Sequence, residues 1–153
     1  MNNTVIIDLD GTLCNSAHRE HHSRNGDWDA FHAGLWEDEA HEDVLMVVRA
    51  LEFMNVDVVA CTGRPEQHRV MTERWLIEKC VPIEQVLMRP EFDFRQDATV
   101  KMEQVELWHE DTRRDYAGTV QERVAFILED RDRMVEAWRS AGFNCWQVRQ
   151  GTF

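Results

Sequence analysis

Thr4-Val5-Ile6-Ile7-Asp8-Leu9-Asp10-Gly11-Thr12 is the stretch whose reading decides the fold. Four β-branched residues in a row make a strand of the kind buried on both faces. Its C-terminal end carries two carboxylates, and in an open α/β sheet that end is where ligands bind. Side-chain alternation puts Asp8 and Asp10 on the same side of the extended chain. Two like charges held that close are unfavourable unless a cation lies between them or one keeps a proton. Gly11 supplies the conformational freedom for a tight turn and close backbone approach. The stretch therefore reads as a site and not as a solvated loop.

Outward from it, the apolar pattern lapses from Cys14 to Asp43. That segment holds His18, His21, His22, His32 and His41 together with Trp28, Phe31 and Trp36. It is too long for an ordinary connection, and its aromatic content favours an ordered small cap over disorder. The run His18-Arg19-Glu20-His21-His22 matches no standard metal-ligand spacing.

Beyond the cap, strands and helices alternate. Periodicity predicts a helix over 44–54, a strand over 56–61, a turn at Thr62-Gly63-Arg64-Pro65, and a helix over 66–79 with Pro65 as its first residue. A strand over 86–88, a helix over 98–108 and a polar loop over 109–123 follow. The chain then continues with a strand over 124–128, a helix over 132–140 ended by Gly142, and a strand over 145–148. Trp75, Trp108, Trp138 and Trp146 fall in apolar patterns and are expected in the core. This alternation predicts an α/β fold with a Rossmann-like, doubly wound parallel sheet. One domain is expected over 1–153, with a small cap insert after the first strand at about 14–43.

At 153 residues with 43% hydrophobic side chains, the chain suits one ordinary core and not a disordered segment. No apolar run approaches the ~20 residues of a membrane span, and Met1-Asn2-Asn3 has none of the features of an export signal, so a cytoplasmic protein without a membrane partner is expected. The four widely spaced cysteines then read as reduced thiols. A net charge of −12 disfavours long, non-specific contact with a phosphate backbone, but not the capture of a small anionic group in a locally positive pocket.

Four strand or helix ends carry functional side chains: Asp8 and Asp10; Thr62, Gly63 and Arg64; Lys101; and Glu129-Asp130-Arg131-Asp132. In a doubly wound sheet these converge on one rim, and the set suits phosphoryl transfer. A carboxylate attacks phosphorus, a second carboxylate moves the proton, and a hydroxyl and an ammonium bind the remaining oxygens. A hard divalent cation, best Mg²⁺, would neutralise charge between the acidic segments. A signalling receiver also uses an Asp, a Thr and a Lys, but places its acceptor Asp on a later strand. A non-catalytic phosphate-binding module on the same fold is a further alternative.

In that order, Asp8-x-Asp10-Gly11-Thr12, Thr62-Gly63-Arg64, Lys101 and Glu129-Asp130 resemble the four motifs of the haloacid dehalogenase (HAD) superfamily of phosphohydrolases. Two further segments, 87–101 and 129–148, are similar to the 3′-phosphatase domain of phage polynucleotide kinase/phosphatases. The resemblance implies Asp8 as nucleophile and Asp10 as general acid/base. It implies Thr62 and Lys101 on the transferring phosphate, and Asp8, the Asp10 backbone carbonyl and Asp130 on Mg²⁺. Gly63 and Arg64, with Arg89 and Arg95, are expected at the substrate; Trp28, Phe31 and Trp36 are read first as packing of the cap, with Trp28 or Phe31 stacking on a base as the alternative. Glu129 departs from the narrower family, which usually has Asp there, and leaves Asp130 as the direct ligand; Asp132 is expected to cap the following helix. The implied substrate is a phosphorylated nucleic-acid end, with a free nucleotide as the alternative. No Gly-x-x-x-x-Gly-Lys-Ser/Thr loop occurs in these residues, so the kinase half that accompanies some relatives is not among them, and a separate kinase partner stays open.

Overall fold

The computed structural model describes residues 4–83, 85–112 and 116–151. Strand β1 (Thr4–Ile7) lies at the centre of a five-stranded sheet, entirely buried. On one side it pairs with β4 (Asp57–Pro65), which pairs with β5 (Gln85–Arg89). On the other it pairs with β6 (Val124–Arg131), which pairs with β7 (Cys145–Gly151). All four pairings are parallel, so the chain builds outward to one edge, returns, and builds to the other. The reversal falls between β1 and β6, and a doubly wound sheet opens its ligand crevice at that switch.

Alternation along these strands divides the core in two. Ile7, Val58, Ala60, Val86 and Leu128 face α3 (Glu42–Phe53) and α4 (Arg69–Glu78). Ile6, Val59, Cys61 and Ile127 face α5 (Asp97–Asp111), the short α6 (Val120–Arg123) and α7 (Asp132–Ser140). Helix α7 has the bounds its periodicity predicts. Gly142, at φ +89°, follows its end in a conformation that β-carbon-bearing residues rarely adopt.

The segment after β1 is closed by a two-residue antiparallel pair, β2 (Cys14–Asn15) with β3 (Glu39–Ala40). Between them lie a 3₁₀ turn (Ala17–Arg19), α1 (Glu20–Arg24), α2 (Trp28–Ala33) and a second 3₁₀ turn (Gly34–Glu37). The β2–β3 pair holds the two ends of the insert together.

Several expectations are corrected. Thr62–Pro65 is no turn: β4 runs extended to Pro65, with a register shift against β5 between Cys61 and Pro65 that leaves Thr62, Gly63 and Arg64 off the ladder. Pro65 sits extended before a 3₁₀ turn (Glu66–His68), and α4 starts only at Arg69. The predicted loop over 109–123 contains the end of α5 and all of α6, while residues 113–115 lie outside the described residues. Trp146 is 56% exposed because β7 is an edge strand; its indole stacks on Phe126 at 4.1 Å instead of entering the core. Phe31 is buried and cannot stack on a base from solvent, whereas Trp28 is 54% exposed. Asp132 is the first residue of α7 and makes no capping bond; it accepts a hydrogen bond from Gln147 Nε2 at 2.6 Å. Among the described residues no helix is long and apolar enough to cross a membrane.

Candidate active site

Asp8 leaves β1 with its amide donating to the Leu128 carbonyl at 3.0 Å, which holds the first acidic residue against β6. Its side chain is buried, and Oδ1 accepts from Lys101 Nζ at 2.6 Å. The same ammonium donates to Glu129 Oε2 at 3.0 Å, so one buried cation, delivered from the first turns of α5, spans two carboxylates. Glu129 Oε1 accepts the backbone N–H groups of Asp130 and Arg131 at 3.1 and 3.3 Å. Asp130 lies at the end of the same strand and accepts from the Thr12 hydroxyl at 3.0 Å. A β-carbon on Gly11 or on Gly151 would collide with Asp130 Oδ2, so both glycines make room for that carboxylate.

This cluster is short of positive charge. Burial first, then repulsion from Glu129, pushes the Asp8 carboxyl well above the ordinary range despite Lys101. Asp130 is pushed up to about 7 by burial and by Glu129, against the Thr12 hydrogen bond. Burial works against Glu129 as well, but Lys101 and Arg131 outweigh it and hold that carboxylate low. Asp8 Oδ2 is buried with no hydrogen-bond partner among the described residues. Asp8, Glu129 and Asp130 each offer an oxygen, and these oxygens lie within 4.8 Å of one another. A set of hard oxygens, one of them orphaned and two of them reluctant to ionise, fits a divalent cation.

Two residues on, Asp10 meets the opposite environment. Arg64 grips it with two bonds, Nε to Oδ2 at 2.9 Å and Nη2 to Oδ1 at 2.6 Å, and Arg19 Nη2 donates to Oδ1. Burial would raise its pKa, yet Arg64 and then Arg19 hold the carboxyl far below the usual range. Both arginines are themselves buried. Arg19 reaches from the insert, donating to Asp38 at 2.7 and 2.5 Å and to the Phe31 carbonyl at 3.1 Å, with its guanidinium 4.2 Å over the Phe31 ring. Arg64 also donates to Asp38 at 3.4 Å and to the Thr72 hydroxyl at 3.3 Å. Two aspartates and two arginines thus close a buried, neutral set, half from the sheet and half from the insert.

The expected residues are distributed as follows. Asp8, Lys101, Glu129 and Asp130 converge. Thr62 is buried at the end of the regular part of β4, where its hydroxyl accepts the Arg64 amide at 3.2 Å. Gly63 faces Asp97, whose Oδ1 would lie 2.6 Å from a β-carbon placed there. Three arginines expected at the substrate are engaged elsewhere. Arg64 is fully buried on Asp10. Arg89 uses its guanidinium on the Gly63, Asp93 and Arg95 carbonyls and on Asp97 Oδ1, at 2.9–3.1 Å, and so braces the loop after β5. Arg95 is exposed and paired with Asp93 and Glu103.

Three contributors were missed by sequence reasoning, Arg19, Asp38 and Asp97, and Arg131 was placed at the rim without a role. Asp97 receives Arg89, Arg131 and, at 3.7 Å, Lys101; Lys101 and Arg131 lead in holding it ionised against burial. Its spacing of one helical turn before Lys101 was a usable signal. Nothing in local spacing distinguished Arg19 or Asp38 from solvated charges.

The family model for the polynucleotide kinase PNKP phosphatase domain matches residues 2–153. A chain in the "Structure of Pnkp1/Rnl/Hen1 complex" is 29% identical, with a TM-score of 0.79, over 100% of this chain and 47% of that one. A chain in the "Structure of the Pnkp1/Rnl/Hen1 RNA repair complex" is 27% identical, with a TM-score of 0.77, over 100% of this chain and 44% of the other. The present chain therefore spans about half the length of these relatives. A haloacid dehalogenase-like hydrolase from Streptococcus pneumoniae, 11% identical over 97% of this chain and 87% of its own, shares the fold with a TM-score of 0.66.

Proposed function

The chain belongs to the polynucleotide kinase PNKP phosphatase-domain family of HAD-type hydrolases, and on that premise we propose that it removes a 3′-phosphate from polynucleotide ends through an aspartyl-phosphate. The observation that carries this reading is Asp8: one oxygen held by Lys101, the other buried and unpartnered beside Glu129 and Asp130.

In the first half-reaction an Asp8 oxygen bonds to phosphorus and the bond to the leaving ribose oxygen breaks. Asp10 supplies the proton that oxygen takes up. In the second, water attacks the phosphoenzyme, its proton passes to Asp10, and the bond between Asp8 and phosphorus breaks to release inorganic phosphate. Lys101 and the Thr62 hydroxyl bind the non-reacting phosphate oxygens, where the ammonium's charge is least screened. With both arginines in place Asp10 is ionised, the form that accepts the proton of water. Its acid form requires one guanidinium to let go, which links proton delivery to movement of Arg19 or Arg64. Asp8, Asp130 and the Asp10 backbone carbonyl would hold Mg²⁺, which when bound neutralises charge and orients the phosphate. Glu129, committed to Lys101 and two amides, holds that lysine in position.

The two Pnkp1/Rnl/Hen1 relatives, one of them named as an RNA repair complex, support an end-repair setting in which a kinase acts alongside. Hydrolysis of free nucleotides uses the same chemistry, and the net charge of −12 favours a short grip on substrate in either case. Phosphate release with Mg²⁺ from 3′- and 5′-phosphorylated oligonucleotides and from 3′- and 5′-mononucleotides separates the two. Higher kcat/KM on a 5′-mononucleotide than on a matched 3′-phosphorylated oligonucleotide replaces the end-repair reading with a nucleotidase.

A further inference from the structure

Three rings meet on the Asp10 side of the site, and the chemistry above uses none of them. Trp28 and His32 project from α2 one turn apart, and His68 closes the 3₁₀ turn between β4 and α4. His32 stacks with Trp28 at 6.4 Å and 29°, and lies 4.7 Å from His68 at 31°. The set bridges insert and sheet. Both imidazoles lie within electrostatic reach of Asp10.

Its exposure is uneven. His32 is 7% exposed and its Nδ1 is buried without a hydrogen-bond partner among the described residues, an arrangement that packing alone does not favour. Trp28 is 54% exposed yet firmly placed. Asp27 caps α2 by accepting the Ala30 amide at 3.1 Å, which makes Trp28 the first helical residue, and the buried Phe31 meets its indole edge-on at 5.7 Å. A rigid indole left more than half open, stacked on the imidazole that lies within reach of Asp10, presents a stacking surface to a planar ligand.

The direction follows from the two aspartates. Phosphorus must sit at Asp8 beside Lys101, and the leaving oxygen must come within reach of Asp10. The leaving nucleoside therefore extends past Asp10 toward the insert. We infer that Trp28, backed by His32 and His68, is the subsite for the nucleobase of the phosphate-bearing nucleoside. This rests on the phosphatase reading and names the leaving group: a nucleoside with an intact planar base.

The test compares two 3′-phosphorylated dinucleotides, one with a base on the phosphate-bearing residue and one abasic there, in wild type and in Trp28→Ala, Trp28→Phe and His68→Ala. Wild type should prefer the base-bearing substrate by about 5- to 100-fold in kcat/KM, mostly through KM, the scale of one base stacked on one aromatic. That preference ratio should fall to about one in Trp28→Ala, fall part of the way in His68→Ala, and be largely kept by Trp28→Phe. A ratio unchanged in Trp28→Ala, or already near one in wild type, overturns the subsite. Calorimetric binding of the same two dinucleotides decides the subsite even if neither is hydrolysed. Failure of hydrolysis with a base-dependent affinity that Trp28→Ala abolishes would sink the phosphatase reading and keep the subsite.

Discussion

Asp8 and Asp10 are separated by one residue and carry the same side chain, but they sit in opposite electrostatic settings. Around Asp8, three carboxylates crowd together with one lysine bonded to two of them, and burial raises the Asp8 and Asp130 carboxyls. Around Asp10, two carboxylates meet two arginines in a closed neutral set. The first arrangement invites a cation and a phosphate; the second is already satisfied and locks the insert to the sheet. Paired acids acquire different roles when their surroundings push their proton affinities apart. Here the divergence comes from what each faces: β6 and α5 on one side, the insert on the other.

The largest expected effect lies at the unbalanced cluster. Asp8→Asn should abolish turnover and leave no covalent phosphoenzyme in an acid-quenched gel assay, and chelation of divalent metal should do the same reversibly in wild type. Undiminished activity in thoroughly metal-free enzyme would mean that the carboxylates around Asp8 are not a cation site. Asp10→Asn should cost about 10²–10⁴-fold in kcat, the usual scale for a proton-transfer group. That loss should shrink on nitrophenyl phosphate, whose leaving group needs little protonation; equal losses on an alkyl phosphate would remove Asp10 from the acid role.

Breaking the balanced set should show first in stability. Arg19→Met leaves Asp10 and Asp38 short of a buried partner, for which about 3–5 kcal/mol in urea unfolding is expected. Combining it with Asp38→Leu should cost less than the sum of the two single changes. Strict additivity would show that the four charges do not act as a unit.

A smaller effect is expected from pH. Burial depresses the His32 pKa to about 4; Asp10 pulls it up, while His68, Arg64 and Arg19 push it further down. In the unfolded chain the imidazole titrates near its ordinary value of about 6.5, so between those two values the unfolded state holds a proton that the folded state does not. Stability is then greatest above about 6.5 and falls on acidification toward 4, by up to about 3 kcal/mol. His32→Gln should flatten that part of the urea-midpoint profile; an unchanged slope would place the acid sensitivity in other groups. Smallest of all, Arg95→Ala should change kcat/KM by less than about twofold, because its partners are exposed surface carboxylates. A tenfold loss would bring Arg95 back to the substrate.

The stretch from Thr4 to Thr12 was legible because it is local: β-branching makes a strand wherever it is buried, alternation sets both acids on one side, and glycine frees the turn. Helix α7 was equally legible, since its apolar residues keep helical spacing from Met134 to Trp138. Parallel order followed from the alternation of strands with helices, and so did the meeting of Asp8, Lys101 and Asp130 at one rim. Tertiary structure decided what no local pattern encodes. Arg64 and Arg89 read as phosphate contacts by residue type, yet their guanidiniums are spent on Asp10 and on backbone carbonyls. Trp146 read as core, yet its strand is an edge. Arg19 and Asp38, apparently ordinary charges in a polar insert, are among the most buried polar residues in the molecule. The physical reason is the same in each case: a strand or helix is written in neighbouring residues, whereas the partner of a buried charge is chosen by which distant segment the fold brings within about 3 Å.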